Sequence, residues 1–102
     1  MDESPINKLQ QLMCITAEEC GELTQRCRKI LRKYSTFEEI QEDQRKKLLD
    51  EVGDVQCMIE LMIDLGVMSH KEVAERSNYK RDKLKIWSQL IDTKDIARMG
   101  NE

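Results

Sequence analysis

Two short stretches of this chain carry the same pattern of chemistry-bearing residues. EECGEL, Glu18 to Leu23, returns 32 residues later as DEVGDV, Asp50 to Val55. Both read acidic, acidic, apolar, glycine, acidic, apolar. Carboxylates three residues apart lie on one face of a helix, so Glu19 with Glu22, and Glu51 with Asp54, form two matched pairs. A donor set made only of oxygens, with no His or Cys beside it, is the kind that Mg²⁺ or Mn²⁺ prefers. The competing reading is a solvated acidic face in which Glu22 pairs with Arg26 at i+4.

The elements that must position these acids are helices. On a wheel of about 100° per residue with Glu19 at zero, Leu9, Leu12, Cys20, Leu23, Cys27 and Ile30 form an apolar stripe centred about 70° to one side. With Glu51 at zero, Leu48, Val52, Val55, Ile59 and Met62 form a matching stripe. If these stripes pack together, Glu19, Glu22, Glu51 and Asp54 meet in one partly buried cluster at their border. Gly21 and Gly53 fall away from that edge, where a bare backbone would admit a close neighbour. Met58, Leu61, Leu65 and Cys57 fall outside the second stripe. Helix two is thus apolar around much of its girth, which points to a subunit contact near Leu61 and Leu65 unless the third helix covers it.

The helix ends are written in capping signals. Ser4 and Pro5 suit the start of a helix running to about Lys33. Thr36 with Glu39, or Ser35 with Glu38, opens a second helix that stops at Gly66, and the polar stretch Gln41 to Lys47 is where it could be interrupted. Ser69 with Glu72 opens a third segment through Val73, Leu84, Trp87 and Ile91. Helices of this length joined by short turns predict an all-α antiparallel bundle, with one domain over residues 1–92 and a tail over 93–102.

Composition narrows the function classes. Charged residues make up 36% of the 102 residues and Gly plus Pro only five, which favours long helices. No apolar run approaches the roughly 20 residues of a membrane span, and a cytoplasmic protein is expected. A net charge of −3 with mixed signs argues against a broad nucleic-acid surface. Cys14, Cys20, Cys27 and Cys57 form no CxxC pair; reduced cysteines serving as small core hydrophobes are the expectation. A di-iron four-helix site needs Glu-x-x-His motifs, and His70 is the single histidine.

AEECGEL followed by DEVGD resembles the EExxE…ExxD signature of the all-α NTP pyrophosphatases, the MazG-like superfamily. The resemblance covers Ile15 to Leu65 well and the third segment loosely. It implies Mg²⁺-dependent hydrolysis of NTPs or dNTPs to a monophosphate and pyrophosphate, as in nucleotide-pool house-cleaning. By position it implies Glu19, Glu22, Glu51 and Asp54 as metal ligands and Glu18 as the remaining motif acid, with all five in the catalytic set. Ser77-Asn78-Tyr79-Lys80-Arg81 is similar to the family's Lys-Asn-x-x-Arg stretch with Ser77 in place of the lysine, which implies nucleotide contacts from Asn78, Arg81 and the neighbouring Lys80. The histidine that usually follows the aspartate in the histidine-biosynthesis branch is replaced here by Val55-Gln56-Cys57-Met58. The resemblance also implies a homodimer or homotetramer. The alternative is a non-catalytic helical interaction module with acidic clusters on its surface.

Overall fold

The computed structural model describes residues 7–91 and is all-helical over them. Helix α1 spans Lys8–Lys33, α2 spans Glu42–Asp64 and α3 spans His70–Trp87, with a short 3₁₀ turn at Phe37–Glu39. The described chain divides into two compact units, parted between Val67 and Met68. The first is the hairpin of α1 and α2; the second carries α3. No described helix is long and apolar enough to cross a membrane.

Capping chemistry sets most of the boundaries. Helix α1 is capped by Asn7, whose Oδ1 accepts from the Gln10 amide at 2.8 Å while Gln10 Oε1 accepts from the Asn7 amide at 3.0 Å. Ser4 and Pro5 lie outside the described residues; the described helix starts at Lys8 with this reciprocal box at its end. Glu39 accepts from the amides of Ser35 at 2.6 Å and Thr36 at 3.2 Å. That box closes only the 3₁₀ turn, however, and α2 starts later, with Gln41 as its cap residue.

Gly66, at φ +82°, ends α2 as expected. The Val67 amide donates to the Met62 carbonyl and the Gly66 amide to that of Ile63, the paired bonds of a Schellman motif. The Ser69–Glu72 box opens α3 as read from the sequence. Helix α3 stops at Trp87, capped by Ser88, whose hydroxyl donates to the Leu84 carbonyl, so Ile91 lies beyond it. The predicted tail over 93–102 falls outside the described residues.

A hydrogen bond from Arg26 to Gln44 Oε1, 3.2 Å, fixes the register of the antiparallel pair. Seven residues from this bond along each helix stand Glu19 and Glu51; seven further stand Leu12 and Met58, the two buried apolar side chains among the described residues. The partly or fully buried positions are Leu12, Thr16, Glu19, Leu23, Arg26 and Ile30 on α1, and Gln44, Leu48, Glu51, Val55, Met58, Ile59, Met62 and Ile63 on α2. Apart from Ile59 and Ile63, which widen the α2 strip to one side, they alternate in steps of three and four, the spacing of a coiled-coil seam. Thr16 satisfies its hydroxyl on the Leu12 carbonyl at 2.6 Å.

This seam corrects the wheel. Its centre lies about 20° from Glu19 and about 40° from Glu51, not 70°, because two helices bury only a narrow strip of each other. The acids therefore sit in the contact line rather than at its border. Met58, placed outside the stripe by the wheel, is in the core. Cys14, Cys20, Cys27 and Cys57 are free and exposed, not core residues, since Cys20 and Cys27 flank the seam where no third element of the hairpin covers them. A Cβ built on Gly21 or Gly53 would meet nothing within 4 Å, so the expected close helix approach at these glycines is not made within the hairpin of α1 and α2.

Candidate metal centre and its basic neighbour

The hairpin brings the two acidic repeats together. One carboxylate oxygen each from Glu19, Glu22 and Asp54 lies within 4.8 Å of the others. Glu19 and Glu22 come from adjacent turns of α1, and Asp54 faces them from the middle of α2. Glu19 is half-buried, while Glu22 and Asp54 are exposed. Glu51, level with Glu19 in the seam and half-buried, stands outside this triad of converging oxygens. Glu18 is exposed on the α1 side. Both still act on Glu19 through their charge.

These residues fit a small divalent cation. All donors are carboxylate oxygens, and ligands on opposite sides of Mg²⁺, each at about 2.0–2.1 Å, stand roughly 4 Å apart. Arg26, the partner that a bland reading assigns to Glu22, bonds instead to Gln44. The ion pairs between described residues are Glu42–Arg45 and Asp82–Lys85, so the triad is not neutralised by a basic side chain.

The crowding leaves a titration signature. The Glu19 carboxyl is held above its ordinary value of 4.5, first by partial burial and then by the charges of Glu22, Asp54, Glu18 and Glu51. A raised carboxyl binds its proton more tightly in the folded state, so folding gains from it at low pH. That gain is lost as pH rises from 4.5 through the raised folded value. Glu42 works in the opposite sense, held low by its hydrogen bonds from Arg45 at 2.8 Å. Metal-free protein should therefore lose the Glu19 contribution on going from pH 4.5 to pH 7, and Glu19→Gln should remove that part of the slope while leaving the Glu42 part. Melting curves across pH in EDTA check this, and saturating Mg²⁺ should restore stability at pH 7 in the parent chain.

Asn78, Lys80 and Arg81 all lie on α3, exposed, in the second unit. Lys80 lines a shallow groove of α3 with Glu72, Arg76 and Ser77. The Arg76 guanidinium lies 4.4 Å and the Lys83 ammonium 5.4 Å from the centre of the Tyr79 ring, so cation–π contacts organise the exposed face around Tyr79.

The sequence reading passed over a second cluster on the hairpin. Arg26, Lys29, Arg32, Lys33, Gln44 and Lys47 line one cleft of about 430 Å³. The signal was present in the spacing. Arg26 and Lys29 stand seven residues after Glu19 and Glu22, and Gln44 and Lys47 stand seven before Glu51 and Asp54. Two helical turns later, each acid is replaced on the same face by a cation or an amide. The Arg26 Nε is buried without a hydrogen-bond partner. A buried unpaired donor of this kind typically costs about 1–3 kcal/mol.

Comparison of the chain with protein-family models, with curated proteins and with solved structures returns no match.

Proposed function

We propose that the chain is a Mg²⁺-dependent hydrolase, with Mn²⁺ as a substitute, that cleaves nucleoside triphosphates to a monophosphate and pyrophosphate. The observation that supports this most is the convergence of Glu19, Glu22 and Asp54 from two separate acidic repeats. The choice of bond rests on the resemblance of EECGE and EVGD to the MazG-like signature. A divalent cation supplies charge neutralisation on the phosphates and makes water a better nucleophile near neutral pH. Glu19, Glu22 and Asp54 are the residues that would hold it, with Glu51 beside them in the seam. Glu18, the remaining motif acid, is the residue proposed to accept a hydrogen bond from the attacking water and orient it. Asn78, Lys80 and Arg81 are the proposed nucleotide contacts, and nucleotide-pool house-cleaning in the cytoplasm is the role this chemistry suits.

A panel of NTPs and dNTPs, assayed with and without Mg²⁺, tests the reading. Pyrophosphate should be the first product, with turnover abolished by EDTA. Orthophosphate as the first product would overturn the choice of bond. A second reading, a non-catalytic helical module that works by assembling, is favoured by the many exposed apolar side chains of the hairpin, Leu9, Leu31 and Leu49 among them. No turnover on any nucleotide of the panel would decide for it. In either reading the chain is proposed to act as a homodimer or homotetramer.

A further inference from the structure

The charge along the hairpin is segregated in a way that ordinary helix pairing avoids. Adjacent helices are commonly stabilised by opposite charges, yet here acids of α1 lie level with acids of α2, and cations with cations. In the basic block, Arg26, Lys29 and Lys33 of α1 share one cleft with Lys47 of α2, and Arg32 lines it too. Asp43 and Asp50 lie within about one turn of Lys47, but neither forms an ion pair with it. The Arg26 guanidinium is braced on one side by Gln44 and has its Nε buried and unpaired. Cations from two helices that make no ion pair with a described residue, Lys33 resting instead 5.7 Å from the centre of the Tyr34 ring, suit an anion that carries several charges of its own.

The position of this cleft identifies the class of anion. Lys29 follows Glu22 and Lys47 precedes Asp54 by seven residues, which is about 10 Å along one helix face. A short phosphate chain bound to a cation at the acids can extend over that distance toward the lysines. We propose that Arg26, Lys29, Lys33 and Lys47 form a binding site for a chain of two or more phosphates, able to hold it without metal. The site takes either the polyphosphate tail of a nucleotide or free pyrophosphate. For its choice of phosphate over other polyanions, this inference rests on the hydrolase reading. It assigns to the hairpin turn side of the acids the end of the chain that leaves as pyrophosphate.

Calorimetric titration with inorganic pyrophosphate in EDTA tests the site, with the full chain at low salt. Wild type should bind, and the affinity should fall as salt is added, because the cations are exposed. Lys29→Ala with Lys47→Ala should weaken binding by at least about tenfold, as expected for two lost charge-assisted contacts. Lys71→Ala, on α3, should leave it unchanged. Orthophosphate should bind much more weakly, and a nucleoside monophosphate should not compete, whereas a non-hydrolysable triphosphate should. The lysines are exposed, and circular dichroism would verify that the variants keep their helices. Equal affinity in the double variant, or no pyrophosphate binding in wild type, overturns the inference even if nucleotides are hydrolysed. Pyrophosphate binding at this cleft in a chain that hydrolyses no nucleotide overturns the hydrolase reading and leaves the phosphate site standing.

Discussion

Asp54→Asn should lower Mg²⁺ affinity and nucleotide turnover together, each on the order of a hundredfold or more, since it removes a proposed ligand from a three-oxygen set. Glu22→Gln should do the same. Each change removes one charge from a cluster that repels itself, and neither side chain fills the core, so the metal-free variants should melt no lower than the parent chain. Glu51→Gln should also reduce both properties, but by less, because its oxygens stand outside the converging triad while its charge still reaches Glu19. Titration of each variant with Mn²⁺, followed by turnover at saturating metal, separates affinity from chemistry. If Asp54→Asn and Glu51→Gln left both quantities unchanged, the acidic repeats would be a solvated face and the proposed centre would fall.

The convergence of Glu19, Glu22 and Asp54, though not that of Glu51, was legible in the sequence because two matched repeats at helical spacing leave few ways to pack. Placing Glu19 and Glu51 at the edge of an apolar stripe was the weaker step. Hydropathy alone weights Cys20, Cys27 and Val52 toward the middle of the stripe, whereas an isolated helix pair buries the a and d positions nearest the partner. Those positions are occupied here by Leu12, Thr16, Glu19, Leu23, Arg26 and Ile30. A polar residue inside a seam looks like a surface residue until the partner helix is placed. The same blindness hid the basic cleft: Lys29 and Lys47 read as ordinary solvated lysines until the register puts them on one face with Glu22 and Asp54.

Local signals fared according to how many atoms they commit. Gly66 and the Ser69–Glu72 box each fix two backbone hydrogen bonds, and both mark their helix ends in the structure. The Glu39 carboxylate also accepts two amides, but without a hydrogen bond to the Thr36 hydroxyl, and it closes a turn instead of starting α2. A cap specifies a break in the backbone and not the length of the helix beyond it. Asn7 with Gln10 fits the same capping logic as Ser69 with Glu72, but Ser4-Pro5 upstream drew the start of α1 too early.

The hairpin as a single chain is short of core, and this shortage sets the largest effect expected on assembly. Leu12 and Met58 are buried, whereas Val52 is 46% exposed, Leu61 39% and Leu65 48%. Fully burying one such side chain is worth about 1.5–3 kcal/mol, while ordering each backbone residue costs about 1–2 kcal/mol. Among the described residues, two buried side chains and a half-buried seam are little to set against that entropy for helices of 26 and 23 residues. Apolar surface on both flanks of α2 calls for a second copy, whose matching face would supply the missing contacts by symmetry. Light scattering at micromolar concentration should therefore give at least twice the 12.0 kDa of the chain, and the melting temperature should rise with protein concentration. Leu61→Lys with Leu65→Lys should shift the species toward monomer and remove most of the cooperative helical melt. The acids are untouched by these changes, so added Mg²⁺ should recover helix only where assembly also recovers. A species of 12.0 kDa that melts cooperatively at a temperature independent of concentration would show that the chain needs no second copy.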